Sequence, residues 1–275
     1  MNKINLIVCG ACGRMGSLII DLALKDSDFF IKGGIEAENH PMIGSEIKKG
    51  IIIFESLDKI MKEGDLVIDF TTPNDTLNFI KIVIGTTGFK SEEIEKIREA
   101  SEYIPIFLSP NMSLGVNLFF EIIKYATQLL KNYEIEIEEI HHHFKKDAPS
   151  GTAKKIAEII CKERSLKLEN VLKYGRSGIT EERKFEEIGI HSLRIGDIVG
   201  EHSVFFGGTG EIIEISHRCY NREAFASGAL KVAKYLNKKD KGFYGMENFI
   251  KEEVLNVWNK WEIKENSTLS FCRNR

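Results

Sequence analysis

The chain lacks the features that would place it in a membrane, outside a cell or on a nucleic acid. No run of about 18 apolar residues occurs, so no membrane-spanning helix is expected. The five cysteines, Cys9, Cys12, Cys161, Cys219 and Cys272, are odd in number and scattered, which argues against a disulfide framework. Cys9-x-x-Cys12 has no second pair to complete a four-thiolate zinc site and reads as small residues packed near a tight turn. The start, MNKINLIVCG, lacks the long apolar region and cleavage site of a secretory leader. A reducing, cytoplasmic setting is therefore the expectation. The formal net charge of −3 gives no general pull toward nucleic acid or anionic lipid. Any anion binding must come from local clusters. No internal repeat is visible.

The 275 residues are 43% hydrophobic and 29% charged, an ordinary globular balance with room for one large domain or two modest ones. INLIVCG, residues 4–10, is a β-branched apolar run that reads as a buried parallel strand. GACGRMG follows, then the apolar-periodic SLIIDLALK. Gly10, Gly13 and Gly16 thus sit at a strand-to-helix turn. Bare backbone there can approach a pyrophosphate, and the helix end offers unpaired N–H groups to it. A tight turn packed on a helix would show the same spacing. The next strand, FFIKGGIE, ends at Glu36, whose carboxylate suits ribose hydroxyls and would repel a 2′-phosphate. Ala37 follows, so no arginine is at hand for that phosphate, which favours NADH over NADPH. Glu36 could equally be a surface residue at a strand end.

Two more apolar runs, DLVIDFTTP (65–73) and IVIGTTG (82–88), end in hydroxyl residues and glycine. SEEIEKIREA (91–100) reads as a helix with Ser91 as cap, and IPIFLSPNMSLGVN as a strand with a polar exit at 109–112. Strands and helices alternate, as in a doubly wound α/β sheet whose ligand edge faces the strand C-termini. Between the two parallel strands, residues 72–81 leave only ten positions for a crossover that normally takes about ten to twelve or more.

The second half differs. Residues 113–133 form a long helical pattern, and EIEIEEIHHHF alternates as a strand exposed on one face. HHHFKKDAPSGTA, residues 141–153, follows as a loop from 141 to 150 that runs into the helix GTAKKIAEIICKE. Titratable groups therefore meet a helix N-terminus. EEIGIHSLRIGDIVGEHSVFFGGTGEIIEISHRC reads as an antiparallel sheet with one exposed face, and residues 225–236 as an amphipathic helix.

With the pieces in this order, the chain resembles the 4-hydroxy-tetrahydrodipicolinate reductase (dihydrodipicolinate reductase) family. GACGRMG, VIDFT, IGTTGF, HHHFKKDAPSGTA and RIGDIVGEH carry the resemblance, and the Lys-x-Asp-Ala-Pro-Ser-Gly-Thr run is its specific part. It implies an α/β fold: a Rossmann-type dinucleotide-binding domain, 1–112 and 223–275, with an inserted α+β substrate and tetramerisation domain, 113–222, built on a mixed sheet. It implies reduction of a cyclic imine dicarboxylate with NADH or NADPH in the diaminopimelate route to lysine, by a homotetramer whose intersubunit region includes 194–202. His141 takes the role of acid, and Lys145 that of proton donor or charge neutraliser. His142, Ser150, Gly151 and Thr152 face the substrate. The cofactor set is Gly10, Gly13, Arg14, Met15, Gly16, Glu36, Gly85, Thr86, Thr87, Ser109, Pro110, Asn111 and Met112. No metal, nucleic acid or membrane partner is implied. Ala37, the short 72–81 segment, His143 and Phe144 depart from the family pattern, and the stretch after Phe249 has no counterpart in it. His143 reads as a solvated loop residue.

Three other readings stand beside this one. A metal-dependent hydrolase could use the histidine cluster, but adjacent strand histidines face opposite ways, and nothing nearby completes a ligand set for His141 and His143. A non-catalytic dinucleotide sensor would not need His141 and Lys145. A different Rossmann reductase of amino-acid metabolism would not need the Lys-x-Asp-Ala-Pro-Ser-Gly-Thr run.

Overall fold

The computed structural model describes residues 3–71 and 81–255. The 72–81 crossover, Lys81 apart, and the tail from 256 lie outside the described residues. The first seven strands are β1 Ile4–Cys9, β2 Phe29–Ile35, β3 Glu46–Lys48, β4 Ile51–Phe54, β5 Leu66–Asp69, β6 Ile82–Ile84 and β7 Pro105–Leu108. The next five are β8 Glu134–His141, β9 Leu172–Tyr174, β10 Ile188–Arg194, β11 Gly200–Gly208 and β12 Glu211–Cys219, and β13 is Gly242–Tyr244. The helices are α1 Arg14–Ala23, α2 Ser91–Ala100, α3 Leu114–Leu129, α4 Gly151–Arg164, α5 Leu168–Val171, α6 Glu223–Asn237 and α7 Met246–Phe249. Two compact units divide the chain. One runs to Leu114 and resumes at Glu223, and the other is Gly115–Arg222. Among the described residues no helix is long and apolar enough to cross a membrane.

The first unit holds an eight-stranded sheet in the order β13-β7-β6-β5-β1-β2-β4-β3. All its pairs are parallel except β3 with β4. β5 and β6 are buried along their whole length, as expected of strands covered on both faces. Ile97 of α2 packs with Ile7, Ile82, Ile84 and Ile106 on one face. Tyr235 of α6 meets Phe107 edge-on at 6.3 Å on the other. From β1 the order moves outward through β2, and from β5 it moves the opposite way through β6 and β7. The gap beyond the C-terminal ends of β1 and β5 is therefore the topological switch point, where such sheets bind ligands. Ser91 proves to be the first residue of α2 rather than its cap. Lys90 is the N-cap, and its N–H donates to the Glu93 carboxylate at 2.6 Å. A glutamate reaching back from the third helical position satisfies that N–H, so no capping hydroxyl is needed.

The second unit holds a five-stranded sheet, β12-β11-β8-β10-β9. β11 runs antiparallel to both neighbours, whereas β10 runs parallel to β8 and to β9. The antiparallel expectation thus holds for β11 and β12 and fails for β10, and β9 is a strand that the sequence reading did not mark. Alternation of side chains is the same in either direction, so the pattern could not distinguish them. One face packs on α3 and α4 through Ile135, Ile137, Val204, Phe206, Ile123, Ile156 and Ile160. The register puts Glu139, His141, Arg194 and His202 on that same face, at the C-terminal end of β8.

Candidate active site

In the first unit the switch point is built from backbone. Gly10 has φ +71°, which favours glycine, and a Cβ there would stand 3.2 Å from the Phe70 carbonyl oxygen. A Cβ on Gly16 would overlap the Gly10 carbonyl oxygen at 2.0 Å, so only glycine lets α1 start this close to the loop. Gly13 is the N-cap of α1 and makes no side-chain cap, which leaves the helix end for a ligand. Arg14 is exposed and Met15 half-buried on the first turn. Glu36 lies at the end of β2, and its Oε1 accepts the Cys12 N–H at 2.7 Å, which ties the glycine loop to the second strand. Past β6, Gly85 leaves room for the Phe70 ring, which a Cβ would meet at 2.3 Å. The Thr86 hydroxyl is buried without a hydrogen-bond partner, and Thr87 is exposed. Past β7, Ser109 and Asn111 brace their own turn: the Ser109 hydroxyl donates to the Asn111 carbonyl at 2.9 Å, and Asn111 Oδ1 accepts the Ser113 N–H at 2.9 Å. Pro110 is exposed, whereas Met112 is buried and packs inward.

In the second unit the site forms around Glu139, whose side chain is fully buried. Its carboxylate accepts from His141 Nδ1, from both terminal nitrogens of Arg194 at 3.0 and 2.8 Å, and from the Ser150 N–H at 3.2 Å. Burial opposes its ionisation, but the bonds from His141, Arg194 and Ser192 outweigh burial and hold its pKa down at about 2. A carboxylate that accepts from Nδ1 fixes the tautomer and aims Nε2 outward, as an acid or base requires. Gly200 of β11 keeps that side open, because a Cβ there would come within 3.0 Å of His141 Nε2. The His202 ring lies edge-on to His141 at 5.2 Å. Burial first, then the His141 charge, push the His202 pKa down to about 3, so it stays neutral beside the site. His141 is thus the last residue of β8, not the first of the loop, because its backbone carries the ladder to Arg194.

The motif separates into distinct environments. His142 is half-buried, and its Nδ1 is buried without a partner. A buried nitrogen left so costs about 1–3 kcal/mol, which a bound polar group would relieve. His143 is exposed, bonds to the Gly196 carbonyl at 2.8 Å and lies against the Phe144 ring at a tilt of 44°. The Lys145 ammonium donates to Asp147 at 2.8 Å, and that bond holds the Asp147 carboxyl below its usual range. Ser150, expected to face a ligand, is turned inward instead. Its hydroxyl caps α4 at the Ala153 N–H and contacts His202 Nε2 at 3.0 Å. The Gly151 and Thr152 N–H groups remain at the open helix end, where helical geometry provides no carbonyl. Reading by motif passed over Glu139, Arg194 and His202. A signal existed for Glu139: it shares the inward-facing parity of Ile135 and Ile137, where a carboxylate needs partners.

A doubly wound sheet with a glycine turn at its switch point is the architecture of a nicotinamide-dinucleotide-dependent oxidoreductase. Comparison with known proteins agrees. Residues 4–112 match the family model described as dihydrodipicolinate reductase, N-terminus, and residues 115–250 that described as dihydrodipicolinate reductase, C-terminus. The 4-hydroxy-tetrahydrodipicolinate reductase of Aquifex aeolicus is 46% identical over 265 residues, spanning 89% of this chain and 97% of that protein. Its counterpart from Methanocaldococcus jannaschii is 42% identical over 262 residues, spanning 88% and 95%. A dipicolinate-bound dihydrodipicolinate reductase from Paenisporosarcina sp. TG-14 shares the fold, with TM-score 0.71 and 24% identity over 90% of this chain and 99% of that one. The chain belongs to the dihydrodipicolinate reductase family.

Proposed function

We propose that this chain reduces 4-hydroxy-tetrahydrodipicolinate to tetrahydrodipicolinate in the diaminopimelate route to lysine. The observation that carries the reading is the buried Glu139–His141 pair, set beside the α4 N-terminus in a chain of this family. We assign the first unit to the dinucleotide and the second to substrate and assembly. The first fits its ligand: Gly10, Gly13 and Gly16 leave bare backbone for a pyrophosphate, and the orphaned Thr86 hydroxyl awaits a partner. Arg14 and Met15 flank that turn, Glu36 offers its second oxygen to the ribose, and Gly85, Thr87 and Ser109, Pro110, Asn111 and Met112 line the neighbouring strand ends. When bound, the nicotinamide supplies a hydride.

The chain's own residues do the rest. The Gly151 and Thr152 N–H groups and the Thr152 hydroxyl hold one carboxylate at the helix end. His142 and Lys145 meet the remaining charge, Lys145 exchanging its bond to Asp147 for one to substrate. Ser150 acts through its cap on α4. His141 Nε2 gives the proton that accompanies the hydride, and one water leaves.

NADH is the preferred donor in this reading. Glu36 stands where a 2′-phosphate would sit, and a like-charge contact there costs enough for an advantage of about tenfold or more in kcat/KM. A coupled synthase assay following cofactor absorbance checks this. A clear NADPH advantage would overturn the preference, and no turnover with either donor would overturn the function.

The outward face of the five-stranded sheet carries Ile140, Leu193, Phe205 and Ile212, the last 70% exposed. We assign this face to tetramer assembly. Phe205→Glu, near its middle, is expected to yield smaller species in sedimentation velocity; an unchanged mass would refute the assignment. Cys9, Cys12, Cys161 and Cys219 are not joined in disulfides among the described residues, which fits a reducing cytoplasm.

A further inference from the structure

We propose that Cys12, Glu36 and His40 form a binding site for a divalent cation of borderline softness such as Zn2+, and that filling it excludes the dinucleotide. The residues come from three places in the first unit: the loop between β1 and α1, the residue after β2, and the turn beyond it. One ligand atom from each lies within 4.8 Å of the other two. A tetrahedral ion with ligands at about 2.0–2.3 Å needs them about 3.5 Å apart, so a contraction of about 1 Å gathers all three. All are half-buried and within reach of solvent. Thiolate, imidazole and carboxylate with a fourth position open form a set that suits Zn2+ rather than Mg2+ or Ca2+.

The loop already holds two of the ligands together. The Cys12 N–H fixes one Glu36 oxygen at 2.7 Å. The Cys12 thiol faces the same carboxylate. On metal binding the S–H bond breaks, the proton leaves to solvent, and the sulfur lone pair binds the metal. The His40 ring is held by a long 3.3 Å bond from the Met42 N–H to Nδ1, which a small rotation releases. Exclusion rests on the function proposed above. A Glu36 oxygen bound to metal is no longer available to a ribose hydroxyl.

The test uses the full-length chain without dinucleotide, titrated with Co2+ as a spectroscopic probe and then with Zn2+. A thiolate-to-cobalt charge-transfer band at one equivalent, displaced by Zn2+, is expected. Cys12→Ser should abolish it, and His40→Ala should weaken cobalt binding roughly tenfold or more. In NADH fluorescence titrations Zn2+ should weaken apparent NADH affinity in the parent chain and much less in His40→Ala, whose metal-free turnover should be unchanged. No band in the parent chain, or an equal band in Cys12→Ser, would overturn the site. Metal binding that leaves NADH affinity unchanged would overturn the exclusion. Failure to bind NADH even without metal would count against the proposed function, while the cobalt spectrum would still decide the site.

Discussion

Turnover is expected to fall by about 10²–10⁴-fold when His141 is replaced by glutamine, while NADH still binds. Glutamine keeps the size of the side chain and a hydrogen bond to Glu139 but cannot give up a proton at the position of Nε2. Binding survives because the dinucleotide contacts we assign lie in the first unit. Lys145→Ala should lose a comparable share of turnover, because the charge it brings next to Asp147 has no replacement in the motif: Lys146 is exposed on the neighbouring position. Steady-state kinetics in the coupled assay, with NADH affinity measured by fluorescence, check both. Near-normal turnover in either variant would sink that residue's role.

Glu139→Ala is expected to damage stability and catalysis together. It would leave Arg194 with a buried Nε and no carboxylate, and His141 with no partner fixing its tautomer. Removing one member of a buried ion pair costs about 3–5 kcal/mol. Glu139→Gln separates the two effects. It keeps the volume and some hydrogen bonds, so the fold should survive, while kcat drops and its pH profile changes because His141 is no longer held by a charge. A normal kcat and pH profile in a folded Glu139→Gln chain would show that Glu139 is merely structural.

The same carboxylate makes an acid-stability prediction. Its folded pKa of about 2 lies below the ordinary 4.5, so its contribution is complete above about pH 4.5 and is lost as pH falls toward 2. The loss is on the order of 3 kcal/mol. His202 adds to it in the same direction. Its folded pKa of about 3 against an ordinary 6.5 means that the unfolded chain takes up a proton first, so stability falls between those two values. Urea midpoints measured across this range should decline in the parent chain, and Glu139→Gln should decline less steeply below pH 4.5 while keeping the His202 decline between about pH 6.5 and 3. An identical decline in both chains would contradict the assignment to Glu139.

Much of this protein was legible in its sequence because local chemistry governs local structure. The apolar runs ending in glycine mark β1 and β6, since strands buried on both faces tolerate little else. The Gly10-to-Gly16 spacing marks the switch-point turn, since a Cβ at Gly16 collides with the loop whatever the rest of the fold does. The alternation in EIEIEEIH gave β8 and its buried face, and Gly151 with Ser150 marked the start of α4. HHHFKKDAPSGTA held His141, Lys145 and a helix end in one short stretch, so its chemistry could be read directly.

What only the tertiary structure decided are pairings between residues far apart in the chain. Arg194 reaches Glu139 across 55 positions, because β10 enters the sheet parallel to β8 and in a register that sets Arg194 beside His141. Ser150 turns inward because His202, from β11, meets its hydroxyl. Cys12, Glu36 and His40 converge because β1 and β2 are neighbours in one sheet. Strand direction and register are settled by burial of whole faces, a property of the assembled sheets. Periodicity marks which side chains point inward, but not which of them meet.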